Sequence, residues 1–243
     1  MTDSELRRLE REFRQSGTLE AEAAWLRARL KAGELHERDL ELAACLGHES
    51  ARTILGSDSA FSLLLPLPRV EWEARDACAA FVEQFGIVRA LRVCLPIAWT
   101  SLEDWSALFP EDRRPRSAIE AAEAWAVCPC ESHRLGSVAT VNGADEAADR
   151  AAERELIDER AVAAGEAASE AEACAGLASG SGGWFFEVVG IRLRAQWDSP
   201  QSLPNAWTEV LQAVQGEVVP WALGYSDPVR ERVEARQREA AGE

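Results

Sequence analysis

The stretch RPRSAIEAAEAW, residues 114–125, predicts an amphipathic helix with a defined start. Proline has a fixed φ and no N–H, so Pro115 suits the first turn of a helix and blocks the continuation of an earlier one. Ser117 is a candidate N-cap. The apolar residues that follow fall on one helical face, which we expect to be buried: Ile119, Ala122 and Trp125.

The composition and the hydrophobic pattern indicate a helical globular protein. The chain has 243 residues, of which 47% are hydrophobic, enough to bury the core of one large domain or two small ones. Apolar residues recur at helical spacing through most of it, without sustained strand alternation. We therefore predict an all-α fold, a multi-helix array or bundle of about 11 to 13 short helices that could be solenoid-like. Residues 184–197 fit either a helix or a strand, and the surrounding helices favour a helix.

Composition shifts divide the chain into three parts. Residues 1–56 predict an N-terminal helical module, 57–69 a connector containing two prolines, and 70–243 the main helical domain. The Gly/Ser-rich stretch 179–183 predicts a flexible break within that domain.

Glycine and proline also predict where helices end. Thr18 is a candidate N-cap for a helix that ends at Gly33. Pro96 is expected to kink or end a helix near Cys94, with a separate short helix over 102–109.

A loop is predicted beyond Pro129, containing the turn dipeptide Asn142-Gly143. The Ala- and Glu-rich stretch 144–178 follows it as the longest predicted helical run, with a break at Gly165.

The charge of the chain excludes some partners and permits others. The net charge is −16, from 42 acidic and 26 basic residues, and such a field repels a phosphate backbone. We expect no nucleic-acid partner, and we interpret the cluster Arg113, Arg114 and Arg116 as a solvated helix start. The acidic excess permits steering of a basic protein partner.

The sequence contains no stretch near the roughly 20 apolar residues that span a bilayer. Its first five residues are polar and acidic, unlike a secretory signal. We therefore expect no membrane partner and a cytoplasmic location. In that compartment all six cysteines would be reduced thiols: Cys45, Cys78, Cys94, Cys128, Cys130 and Cys174.

Three residues are candidate metal ligands: Cys128, Cys130 and His133. Thiolates and an imidazole suit zinc, and Cys174 or Glu131 could complete a set of four. The spacing C-x-C-x-x-H is not that of a zinc finger, and no second Cys/His pair follows it. The alternative is a loop with incidental thiols, because free cysteines often behave as small hydrophobes. We predict no metal and no cofactor, and keep these three residues as candidates.

Catalytic motifs are missing from the sequence, which has no H-E-x-x-H, no G-x-S-x-G and no Walker lysine motif. Cys45 and His48 lie three residues apart, but the break at Gly47 leaves their relative orientation open. We predict no catalytic residues and a protein that is not an enzyme. The alternative is a zinc- or thiol-dependent enzyme centred on Cys128, Cys130 and His133.

Tryptophan offers a signal for binding. Most of the nine tryptophans fit apolar helix faces, and core packing is the default for each. Any exposed subset would mark an interface, because tryptophan is enriched in binding hot spots. A small-ligand-binding domain is a further alternative, which would need a deep apolar pocket.

Residues 114–125 closely resemble a recurring segment of an immunity protein family, a group of alanine-rich, all-helical bacterial proteins. A looser resemblance extends from Val70 to the C-terminus. It implies a non-enzymatic protein that binds a cognate toxin, an effector or another protein, and neutralises or organises it. The loop predicted over 128–141 and the Gly/Ser-rich stretch depart from a compact member of that family. The sequence leaves the partner, the binding surface and the oligomeric state open.

Overall fold

The computed structural model describes residues 3–56, 71–154, 160–178 and 203–242. These residues form eleven helices and no strand, which confirms the predicted all-α array. The helices are α1 (Asp3–Ser16), α2 (Leu19–Ala32), α3 (Glu37–Cys45), α4 (Glu49–Leu55), α5 (Glu71–Phe85), α6 (Ile87–Leu108), α7 (Arg114–Val127), α8 (Glu131–Ala152), α9 (Arg160–Ala178), α10 (Leu203–Ala222) and α11 (Pro228–Ala241). None of the described helices is both long enough and apolar enough to cross a membrane.

The chain divides into two compact units. The first consists of Met1–Pro66 and Gln215–Asp227, and the second of Leu67–Val214 and Pro228–Glu243. The domain boundaries predicted from the sequence stay predictions. The predicted connector 57–69, the Gly/Ser-rich break and the ambiguous segment 184–197 lie outside the described residues.

The first unit follows its local sequence signals closely. Thr18 caps α2, because its Oγ1 accepts a hydrogen bond from the N–H of Ala21 at 3.3 Å. Gly33 ends α2 with φ 75°, a left-handed conformation that glycine adopts without steric cost. Both predicted helix ends are confirmed. The core of this unit is built on fully buried leucines: Leu26, Leu40 and Leu42.

Fully buried alanines are frequent in two helices of the second unit. Helices α8 and α9 bury small residues that let neighbouring backbones approach closely: Ala144, Ala147, Ala151, Ala161, Ala164, Ala168 and Ala171. On α7, the predicted apolar face is confirmed, because Ile119 and Ala122 are fully buried and Trp125 is 8% exposed.

The predicted start of α7 is partly wrong. The N-cap is Arg113, which makes no side-chain capping bond, and Ser117 lies inside the helix. The side chain of Asp112 takes the capping role, because its Oδ1 accepts from the N–H of Arg114 at 3.2 Å. Pro115 lies in the first turn, as predicted.

The predicted end of a helix near Cys94 is wrong, and so is a separate helix over 102–109. Helix α6 continues through Pro96, and every residue from Arg92 to Ala98 is buried. Proline removes one backbone hydrogen bond, but packing on all sides of this segment offsets that loss. Helix α10 likewise contains Pro220.

The predicted loop beyond Pro129 is also wrong, because α8 continues through Gly136 and Asn142-Gly143. Ser137, Ala144 and Ala147 are fully buried along this helix, and this tertiary packing outweighs the local turn preference. The helical run predicted over 144–178 is instead divided between the end of α8 at Ala152 and the start of α9 at Arg160. No break occurs at Gly165, which lies inside α9.

Candidate functional sites

The three candidate metal ligands come together at the junction of α7 and α8. Cys128 is the C-cap of α7, Cys130 is the N-cap of α8, and His133 lies in the first turn of α8. Their ligand atoms all lie within 4.8 Å of one another. Nδ1 of His133 is 3.3 Å from Sγ of Cys130 and 3.0 Å from the carbonyl oxygen of Cys128. The residues predicted from spacing therefore form one compact cluster, which we call the Cys/His cluster.

The two thiols of the Cys/His cluster differ in acidity. Backbone N–H groups lower the pKa of Cys130, that of His133 most strongly, and the thiol of Cys128 adds to this effect. The pKa of Cys128 is raised, chiefly by its side-chain hydrogen bond with Cys130. Cys130 therefore loses its proton first, as expected for a thiol at a helix N-terminus.

The fourth ligands considered from the sequence do not join this cluster. Cys174 is fully buried on α9, where desolvation raises its pKa well above the ordinary value. Both carboxylate oxygens of Glu131 instead accept hydrogen bonds from Arg134, at 2.6 and 2.7 Å.

Cys45 and His48, the candidate nucleophilic pair from the sequence, both have structural roles. Cys45 is buried, and desolvation raises its pKa to about 12. His48 caps α4, with Nδ1 accepting from the N–H of Ala51 at 3.3 Å, and its Nε2 lies 3.4 Å from Oε1 of Glu22. An imidazole held in this way is positioned as a helix cap and not as the base of a nucleophilic pair.

Glu22 is the centre of a polar cluster that the sequence does not reveal. Its carboxylate accepts hydrogen bonds from the hydroxyls of Ser50, at 2.6 Å, and Tyr225. Burial and this carboxylate raise the pKa of Tyr225. In a Ser-His-Asp triad the serine contacts the imidazole, whereas Ser50 contacts the carboxylate directly. The hydrogen bonds of this cluster therefore differ from those that activate the serine of such a triad.

Tyr225 also closes a cleft in the first unit, which we call the aromatic cleft. Its ring stacks on Trp25 at 5.6 Å between centroids, and Trp25 stacks on Phe13 of α1 at 5.3 Å. The guanidinium of Arg29 lies 5.0 Å from the centre of the Trp25 ring. The cavity has a volume of about 600 Å³, and charged residues form a large part of its lining: Asp3, Arg7, Glu10, Arg14 and Glu34.

The arginine cluster at the start of α7 is neutralised in part by Asp112. Arg114 donates to both carboxylate oxygens of Asp112, from Nε at 2.9 Å and from Nη2 at 2.7 Å. Arg150 of α8 adds a third guanidinium contact at 3.0 Å. These bonds, those from Arg114 above all, lower the pKa of Asp112 to about 2. The carboxylate occupies the place that an external anion would take at this helix start.

Asp112→Asn is expected to lower the free energy of unfolding at neutral pH by about 2 kcal/mol, because hydrogen bonds to a charged acceptor are lost. The folded-state pKa lies below the ordinary 3.8, so the contribution is fully present above that value. It is lost as the pH falls through about 2. Urea unfolding of both proteins at neutral and acid pH tests this, and a difference that is unchanged at acid pH would contradict it.

Comparisons of the chain with protein families, with curated proteins and with solved structures gave no match. The resemblance of residues 114–125 to immunity proteins therefore stays a prediction.

Proposed function

We propose that this protein is a non-enzymatic binding protein that engages another protein through the aromatic cleft, as an immunity factor engages a toxin. The composition of the cleft carries the proposal. Trp25, Tyr225 and Arg29 belong to the three residue types most enriched in binding hot spots. Tyr225 and Arg29 both lie against the ring of Trp25, which is itself only 9% exposed.

The side chain of Tyr225 is held in one orientation without a partner. Its side chain is 39% exposed, although one ring face stacks on Trp25 and its hydroxyl is held by Glu22. An aromatic ring that is already fixed loses little conformational entropy on binding. Helix α1 extends the surface, because Leu6 and Phe13 line the cleft and no residue of α1 is buried.

Charge indicates which kind of protein fits. The net charge of −16 steers a basic partner towards this chain. The cleft itself is lined by as many arginines as carboxylates, and Arg7 pairs with Asp3 at 3.2 Å and Arg14 with Glu10 at 2.6 Å. Exposed ion pairs of this kind are worth little, so their carboxylates are available to basic groups of a partner. The occupant we propose is a basic protein that inserts an apolar side chain between these charges.

The proposal is tested by isolating the partner from the native host with the full chain as bait, and then measuring affinities. Tyr225→Ala is expected to weaken binding at least about tenfold, the loss typical of truncating a hot-spot aromatic residue. Leu135→Ala is the matched control, because Leu135 is an apolar residue 54% exposed in the second unit. The control is expected to bind as the wild type does.

Two outcomes would contradict the proposal. The first is a double negative result: the host yields no stoichiometric partner, and co-expression of the protein fails to protect cells from any toxin encoded beside the gene. The other is a partner whose affinity is unchanged by Tyr225→Ala while circular dichroism shows the variant to be folded.

A further inference from the structure

We propose that Cys128, Cys130 and His133 bind one zinc ion, with water completing the coordination. This site goes beyond the protein-binding function and does not depend on it, and it replaces the expectation from the sequence that no metal is bound. It assigns the metal that the enzyme alternative would require, but it assigns no reaction.

The distances within the Cys/His cluster suit a zinc ion. Zn–S bonds of about 2.3 Å place two tetrahedral sulfur ligands about 3.8 Å apart. The three ligand atoms already lie within 4.8 Å of one another. Cys128 is exposed and Cys130 is half-buried, so small rotations of exposed side chains close the remaining distance.

The backbone holds these ligands in place without the metal. The N–H of Cys130 donates to the carbonyl oxygen of Cys128 at 2.7 Å, which makes a tight turn around Pro129. Cys128 and Cys130 are fixed at the ends of two helices, and His133 follows within the first turn of the second. Because the ligand residues are already close together, binding an ion here loses little of the conformational entropy that ordering a flexible loop would lose.

The chemical type of the three ligand atoms determines which metal ion fits this site. Two thiolates and an imidazole are soft and intermediate ligands that favour zinc, whereas magnesium and calcium take oxygen ligands. The described residues contribute three ligands to this cluster, so a fourth position is left for water. The other four cysteines are buried, which leaves this pair as the accessible thiols of the chain.

Cobalt(II) serves as the spectroscopic probe for the test. The full chain is stripped of metal, kept reduced with a phosphine and titrated with Co²⁺, and zinc is then added as a competitor. We expect thiolate-to-cobalt charge-transfer absorption that saturates at one equivalent. Zinc is expected to abolish this absorption stoichiometrically, whereas magnesium is expected to leave it unchanged.

Variants separate the site from incidental thiol binding. Cys130→Ser and His133→Ala remove ligands and are each expected to weaken zinc binding at least about 100-fold. Ser132→Ala is the matched control, because Ser132 is exposed in the same turn and is not a ligand. Absence of the cobalt band at one equivalent would overturn the proposal. So would an affinity that either ligand variant leaves unchanged, with circular dichroism confirming that each variant is folded.

Discussion

Replacing Glu123 with glutamine is expected to lower the free energy of unfolding of the second unit by about 3 kcal/mol, the lower end of the cost of breaking a buried ion pair. The carboxylate of Glu123 on α7 is fully buried. It accepts hydrogen bonds from Arg232 at 2.7 Å and from Arg236 at 2.6 Å, both on α11. It also accepts one from Nε1 of Trp99 at 2.8 Å. Glutamine has nearly the same shape but presents an N–H₂ group to these donors and carries no charge.

The exposure of the two arginines explains why the expected cost lies at the lower end of the range for breaking a buried ion pair. Their side chains are 31% and 29% exposed, so water partly solvates them once the carboxylate is gone. Glu120→Gln is the matched control, because Glu120 lies one turn earlier on α7 and faces Arg116 at 3.9 Å across a half-exposed pair. We expect the control to cost less than about 0.5 kcal/mol in urea unfolding. Equal losses of unfolding free energy for the two variants would contradict a stabilising role of the buried contacts of Glu123 with Arg232 and Arg236.

Features set by neighbouring residues were predicted well. Thr18 begins α2 and Gly33 ends it, each through hydrogen bonds that reach only a few residues along the chain. The buried face of α7 follows in the same way from helical spacing. The position of the Cys/His cluster was also predictable, because its three residues lie within six positions of one another.

Errors occurred where packing of distant segments outweighed a local preference. Pro96 and Asn142-Gly143 are strong local breakers, yet both lie inside helices that bury residues on either side of them. Ser117 is a plausible cap by sequence, but Asp112 is closer to the free N–H groups and is also held by Arg150 from another helix. Such contacts depend on the tertiary fold, which single-sequence periodicity does not specify.

The aromatic cleft could not be found from the sequence, because its parts come from two ends of the chain. Tyr225 stacks on Trp25, and Glu22, which holds its hydroxyl, lies 203 positions away in the sequence. No motif relates them, and Trp25, whose ring lines the cleft, is buried as the sequence predicts. The one available signal was composition, since Tyr225 is the chain's only tyrosine beside nine tryptophans.

Trp105→Ala is expected to lower the free energy of unfolding by about 3–5 kcal/mol, the usual cost of removing a buried tryptophan. Trp105 is 1% exposed, and its ring centre lies 4.4 Å from that of Phe109. Its Nε1 donates to the carbonyl oxygen of Asp112 at 2.7 Å. Trp105→Phe keeps an aromatic ring but loses that bond, and is expected to cost about 1–2 kcal/mol.

The bond to Asp112 predicts that Trp105 also supports the start of α7. If Trp105 holds the turn in which Asp112 binds Arg114, Asp112→Asn should cost less in a Trp105→Ala background than in the wild type. Urea unfolding of the wild type, both single variants and the double variant measures this coupling, which we expect to reach at least about 0.5 kcal/mol. Additive losses would show instead that Trp105 fills space in the core without positioning Asp112, and that the carboxylate holds its arginines by itself.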